Sequence, residues 1–196
     1  SFGRVLIVAG SRNFVGAASL AAAGAARAGA GLVTVAIAES LRAAVAARAP
    51  EPTYIPLAES SPGVASADAA ATILEGLSEY DALLLGCGIG QAPPTITLVE
   101  RILYSAQPLP PTVVDADGLN ILAATQAADQ RWWDRFSSSA VVTPHPGEMA
   151  RLTRDTVAAI QGDRIGSAVA SAARWNKVTV LKGAHTIVAA PDGTAM

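Results

Sequence analysis

Short runs of apolar residues punctuate the chain at 5–9, 32–37, 82–85, 112–114, 140–142, 178–181 and 186–190. Their apolar side chains are consecutive rather than alternating, the pattern of strands covered on both faces. Between most of them lie Ala-rich stretches of helical length, at 15–28, 41–49, 64–77, 96–105 and 163–175. In the last, Ile165, Ala168, Val169, Ala172 and Trp175 follow the i, i+3, i+4, i+7 spacing that lines one side of a helix. Strand and helix in alternation predict an α/β fold: a mostly parallel sheet, right-handed crossovers and helices on both faces. The last two runs are joined only by Lys182-Gly183-Ala184-His185, too little for a helical crossover, and predict a hairpin. Pro108, Pro110 and Pro111 mark a tight entry into a strand, but no repeat or low-complexity linker divides the chain. Residues 1–196 are therefore expected to form one domain.

One segment, 17–38, has the length of a membrane span, with Arg27 as its only charge. Ala and Gly dominate it, and Arg27 near its middle would cost about 2.5–3.5 kcal/mol in a bilayer. Gly29-Ala30-Gly31 breaks it into an Ala-rich half and the β-branched run Val33-Thr34-Val35-Ala36-Ile37, so a buried helix followed by a buried strand reads better. Ser1-Phe2-Gly3-Arg4 has no signal-peptide layout, and no membrane partner is expected. With 51% hydrophobic and 15% charged residues the chain is not intrinsically disordered. At this length a domain buries roughly 70% of its unfolded surface and needs no metal or disulfide staple. Fourteen basic and sixteen acidic side chains give a net charge of -2 without long blocks of either sign, which argues against a nucleic-acid partner. Cys87 is the only cysteine, so no internal disulfide forms and a reducing, cytoplasmic setting is expected.

Ligands of such sheets bind beyond the carboxyl ends of the strands. Five runs end in unusual chemistry: Gly10-Ser11-Arg12-Asn13-Phe14-Val15-Gly16-Ala17, Gly86-Cys87-Gly88-Ile89-Gly90, Asp115-Ala116-Asp117-Gly118-Leu119-Asn120, Thr143-Pro144-His145-Pro146-Gly147-Glu148 and Lys182-Gly183-Ala184-His185-Thr186. Neither the P-loop nor the dinucleotide fingerprint fits these glycine spacings. What survives is backbone access, because Gly lets main-chain N–H groups approach a phosphate or sugar. His145-Pro146-Gly147-Glu148 has two readings. Pro at the first helical position and Glu in the first turn are a helix start. Equally, His145 can stand beside a substrate while Glu148 orders a hydrated Mg²⁺. One of Asp115 and Asp117 is expected to cap the helix near Leu119, the other to face the cleft. Lys182 is either solvated or beside phosphate. Cys87 reads as a packing residue, His185 as an exposed or half-covered hairpin residue, and Trp132, Trp133 and Trp175 as core.

Taken in order, these motifs resemble one family, the ADP-dependent NAD(P)H-hydrate dehydratases. The likeness is carried by the opening Phe2-Gly3-Arg4-Val5-Leu6-Ile7-Val8-Ala9-Gly10-Ser11, by Phe14-Val15-Gly16-Ala17-Ala18, and by Arg27-Ala28-Gly29-Ala30-Gly31 with the strand after it. Asp115-Ala116-Asp117-Gly118-Leu119-Asn120, Thr143-Pro144-His145-Pro146-Gly147-Glu148 and Leu181-Lys182-Gly183-Ala184-His185-Thr186 continue it across the chain. The resemblance implies a ribokinase-like fold and a repair enzyme that uses ADP (ATP in eukaryotic relatives) and Mg²⁺. Its substrates are the 6-hydroxy hydrates NADHX and NADPHX. It further implies that Ala17, Gly90, Gly88 and His145 contact the hydrate, that Lys182, Gly183, Ala184, His185 and Thr186 line the adenine nucleotide, and that Glu148 meets Mg²⁺ through water. A homo-oligomer, and an epimerase domain or partner, are compatible with it.

Cys87 and Ile89 stand where the family usually has Pro and Leu, and both changes look tolerable. Family members continue to a Gly-Thr-Gly-Asp motif that supplies an anion hole and the general-base Asp. This chain reaches Met196 without one, so the fold is expected to be truncated at its C-terminal end and the base to lie beyond Met196. No catalytic residue is assigned within the chain, and little or no dehydratase activity is expected of it in isolation. Two alternatives stand beside this reading: another ribokinase-like kinase of a small alcohol, and a nucleotide-binding remnant without catalysis.

Overall fold

The computed structural model describes residues 2–126 and 131–196. Its strands are β1 (Arg4–Val8), β2 (Leu32–Ala38), β3 (Thr53–Leu57), β4 (Glu59–Ser61), β5 (Val64–Ala65), β6 (Ala82–Leu85), β7 (Thr112–Val114), β8 (Ala140–Val142), β9 (Val178–Leu181) and β10 (Ile187–Ala189). Eight of them form one sheet in the order β10-β9-β8-β7-β6-β1-β2-β3. Every neighbouring pair is parallel except β9 and β10, the expected hairpin. The remaining two strands make a small antiparallel ribbon. Sequence pattern missed β3 because Pro56 interrupts it; an edge strand tolerates the missing N–H.

The helices are α1 (Val15–Arg27), α2 (Glu39–Ala46), α3 (Ala69–Gly76), α4 (Pro93–Leu103), α5 (Asp117–Ala124), α6 (Trp132–Arg135), α7 (Pro146–Thr153), α8 (Val157–Gly162) and α9 (Arg164–Trp175). The helix expected from residue 64 starts only at Ala69. Val64 and Ala65 are taken into the β4–β5 ribbon, which turns at Gly63 with φ +72°.

Helices lie on both faces, but unequally. On one face Leu83, Leu85, Val114, Val142 and Leu181 are buried against side chains from α3, α4, α5, α7 and α9, and Trp132 and Trp175 close this layer at 5.2 Å. On the other, α1 and α2 cover β1 and β2 through Ala18, Ala22 and Val45 packed on Ile7, Val35 and Ile37. Register carries that face on from Ile7 to Leu84, Val113, Val141 and Val178. From β6 outward these side chains are only partly buried, and Leu20 on α1 beside them is 76% exposed. Among the described residues no helix is long and apolar enough to cross a membrane.

Candidate functional site

The loops at the carboxyl edge interlock because glycines let them. A Cβ on Gly86 would stand 2.2 Å from the Asp115 carbonyl oxygen, and one on Gly88 2.7 Å from the Cβ atoms of both Ala17 and Phe14. Both glycines have positive φ, so any side chain there would be strained as well as blocked. The Gly10 N–H donates to the Cys87 carbonyl at 2.9 Å, tying the β1 loop to the β6 loop.

Neither aspartate caps α5, contrary to expectation. The cap position is Ala116, whose φ of 51° is unusual for a residue with a side chain, and no side chain satisfies that helix end. Asp117 already lies inside the first turn, and its carboxylate reaches across to accept from the Gly90 N–H at 2.9 Å and Gln91 Nε2 at 2.8 Å. Asp115 accepts from Lys182 Nζ at 2.5 Å. Both acids are therefore used on the cleft side.

His145 is the N-cap of α7. Its Nδ1 accepts from the N–H groups of Gly147 (3.0 Å) and Glu148 (3.4 Å), while Glu148 Oε2 accepts from the His145 N–H at 2.8 Å, closing a capping box. Pro146 occupies the first helical position, so the helix-start reading holds. That geometry also brings chemistry together: Glu148 is buried, its Oε1 lies 3.4 Å from His145 Nε2, and its Oε2 lies 3.8 Å from Lys182 Nζ. Lys182 thus stands between two carboxylates, at the end of β9.

Beyond Lys182 the hairpin turn is exposed, His185 included. Arg164, at the start of α9, holds it from behind: its Nη2 donates to the carbonyls of Leu181 (3.1 Å), Lys182 (3.3 Å) and His185 (2.9 Å). Sequence reasoning passed over Arg164, because an arginine at a helix start carries no motif. Thr186 Oγ1 donates to the Gly183 carbonyl at 3.2 Å and folds the turn on itself.

Ala17, Cys87, Asp115, Thr143 and Lys182 line a common cleft of about 520 Å³. Gly88 adjoins it through Ala17, and His145 and Glu148 adjoin it through Lys182. Gly90 borders a separate, smaller crevice together with Ser11 and Asp117. Burial, with help from the Asp115 charge, pushes the Cys87 thiol up to about 11, so it stays protonated and serves as packing. The three tryptophans pack against one another, with Trp132 and Trp175 almost wholly buried, and offer no stacking platform at this edge. Among the described residues no group of three or more His, Cys, Asp or Glu side chains could hold a metal directly. Asp115 and Glu148, both near Lys182 Nζ, are hard oxygen donors of the kind that suits a hydrated Mg²⁺ completed by phosphate oxygens.

The chain is similar to known proteins in sequence and in fold. The family described as NAD(P)H-hydrate dehydratase matches residues 5–196. The bifunctional NAD(P)H-hydrate repair enzyme Nnr of Moorella thermoacetica is 44% identical over 192 residues, covering 98% of this chain and 35% of its own length. The ADP-dependent (S)-NAD(P)H-hydrate dehydratase of Xanthomonas campestris is 35% identical, over 97% of this chain and 62% of its own. In structure, the ADP/ATP-dependent NAD(P)H-hydrate dehydratase of Bacillus subtilis, co-crystallised with ATP and Mg²⁺ and soaked with CoA, superposes with a TM-score of 0.75. It is 30% identical and covers 99% of this chain and 64% of that one. The chain spans about a third of the length of the bifunctional relatives it matches.

Proposed function

The chain belongs to the NAD(P)H-hydrate dehydratase family, and on that premise we propose that it serves the ADP-dependent dehydration of NADHX and NADPHX. The observation that carries this reading is the Lys182 ammonium set between Asp115 and Glu148, beside the edge formed by Ala17 and Gly88. Ala17, Gly88, Gly90 and His145 hold the hydrate. Lys182 meets the phosphates of ADP, and the Gly183–Thr186 turn, braced by Arg164, lines the nucleotide. Glu148, with Asp115, orders hydrated Mg²⁺, which neutralises phosphate charge when bound.

In the reaction the ring hydroxyl of the hydrate attacks the terminal phosphorus of ADP, giving AMP and a phosphate ester. The hydroxyl proton is released in that step. The ring nitrogen then expels inorganic phosphate as the C–O bond breaks, and loss of a proton from the neighbouring ring carbon forms the double bond of NADH or NADPH. The protein's part is to align the hydroxyl with the phosphorus and to offset the charge that develops on phosphate oxygens. None of the 196 residues is assigned as the general base, and the chain holds no Gly-Thr-Gly-Asp motif. A second reading is nucleotide and hydrate binding without turnover.

Relatives that are bifunctional repair enzymes support a second repair activity, an epimerase, as fused or separate partner. The lone Cys87 supports a cytoplasmic setting. The test is calorimetric titration with ADP, NADHX and two rival alcohols, a hydroxymethylpyrimidine and a hydroxyethylthiazole. NADHX and ADP are expected to bind and the alcohols not to; preference for an alcohol would replace this reading with a small-alcohol kinase. Binding without NADH formation selects the second reading.

A further inference from the structure

A second recess lies between β1 and β6. β1 leads into α1 on one side of the sheet and β6 into α4 on the other, so the carboxyl ends of these neighbouring strands part. Such a switch point is where open α/β sheets bind ligands. A crevice of about 260 Å³ fills it, bordered by Ser11 and Phe14 after β1, Gly90 after β6, Asp117 on α5 and Thr95 in the first turn of α4. That volume is below the range of drug-sized pockets and suits one ring with its substituent rather than a dinucleotide.

Thr95 is 1% exposed, and its Oγ1 has no hydrogen-bond partner among the described residues. Thr97, two positions further on, instead donates to the Pro93 carbonyl at 3.2 Å. A buried hydroxyl left unpaired is destabilising, and a ligand group that pairs with it relieves that cost. The Asp117 carboxylate accepts two bonds, from Gly90 and Gln91, and keeps acceptor capacity beyond them. Phe14, 54% exposed, supplies an aromatic ring at the rim. Phe14 and Ala17 both crowd the missing Cβ of Gly88, so the crevice adjoins the residues proposed to hold the hydrate.

Resting on the dehydratase reading, we infer that this crevice is the subsite for the carboxamide end of the hydrate's ring. The amide N–H groups donate to Thr95 Oγ1 and Asp117, and Phe14 covers the ring. The subsite thus recognises a primary amide on a six-membered ring, not the phosphates.

Thr95→Val removes the hydroxyl at nearly constant volume, and Thr95→Ser keeps it. Each protein is titrated with ADP, with NADHX and with the NADHX analogue whose carboxamide is replaced by an acetyl group. Loss of one neutral hydrogen bond weakens NADHX binding to Thr95→Val by about 3- to 10-fold. The acetyl analogue, lacking the N–H groups, is expected to bind wild type and Thr95→Val alike. ADP affinity stays unchanged, Thr95→Ser retains NADHX, and Thr95→Val melts no lower than wild type. Unchanged NADHX affinity in Thr95→Val, or an equal loss for NADHX and the acetyl analogue, overturns the subsite and leaves the dehydratase reading standing. Wild-type protein that binds ADP but not NADHX overturns the dehydratase reading itself, and the subsite with it.

Discussion

Replacing His145 by Ala separates the helix cap that its imidazole makes from the hydrate contact proposed for it. In the folded protein Nδ1 accepts from Gly147 at 3.0 Å and from Glu148 at 3.4 Å, and both bonds vanish with the ring. The return bond from the His145 N–H to Glu148 is made by backbone, so Ala keeps it. The loss is therefore that of an N-cap side chain, about 1 kcal/mol within a range of roughly 0.5–2. In a domain of this length each kcal/mol moves Tm by about 2–4 °C. His145→Ser restores a Ser-x-x-Glu capping box with Glu148 but is too short to reach a hydrate. Thermal unfolding and NADHX titration of the three proteins are the assay. His145→Ala should melt about 2–4 °C low and bind NADHX weakly, while His145→Ser should melt like wild type and still bind NADHX weakly. Full hydrate affinity in His145→Ser would refute the substrate role, and a wild-type melting point in His145→Ala would refute the cap.

Lys182→Ala removes the ammonium proposed to meet phosphate, and ADP affinity should fall by about tenfold or more; unaltered ADP binding would take Lys182 out of the nucleotide site. Its ion pair with Asp115 is partly solvent-exposed, so stability should change by less than about 1 kcal/mol in urea unfolding. Glu148→Gln keeps an oxygen for the capping box but loses the charge, and the Mg²⁺ concentration needed for ADP binding should rise, with an unchanged metal titration as the contrary result. Cys87, with its thiol pushed up to about 11 from 9.0, should be alkylated slowly at pH 8. A thiol pKa raised by folding gives stability that is full below pH 9 and lost as pH climbs toward about 11, so wild type should lose more Tm over that range than Cys87→Ser does.

Much of this architecture is legible in the chain. Continuous runs such as Leu83-Leu84-Leu85 and Thr112-Val113-Val114 announce strands because both faces of a parallel sheet are covered. The row Leu84, Val113, Val141 and Val178 follows that rule although the helical cover over it stops short. Local pattern fails where tertiary context decides. Pro56 sits in β3 only because that strand is an edge, and Val64-Ala65 pairs back on β4 instead of starting a helix. At the candidate site, the motifs singled out His145, Glu148 and Lys182, but not the contacts that bring them together. The Lys182 to Asp115 bond joins residues 67 positions apart, a distance no local pattern spans. Arg164 and Thr95 were silent for a related reason. One acts through main-chain carbonyls, and the other is a hydroxyl with no hydrogen-bond partner among the described residues.

This edge of the sheet is proposed to hold a nicotinamide hydrate beside an adenine nucleotide. Calorimetric titration of the 196-residue protein with NADHX, in the presence of saturating ADP and Mg²⁺, tests it most directly. One hydrate is expected to bind per chain, with affinity reduced in His145→Ser and ADP affinity reduced in Lys182→Ala. No detectable hydrate binding, or hydrate and ADP affinities that neither variant alters, would contradict it.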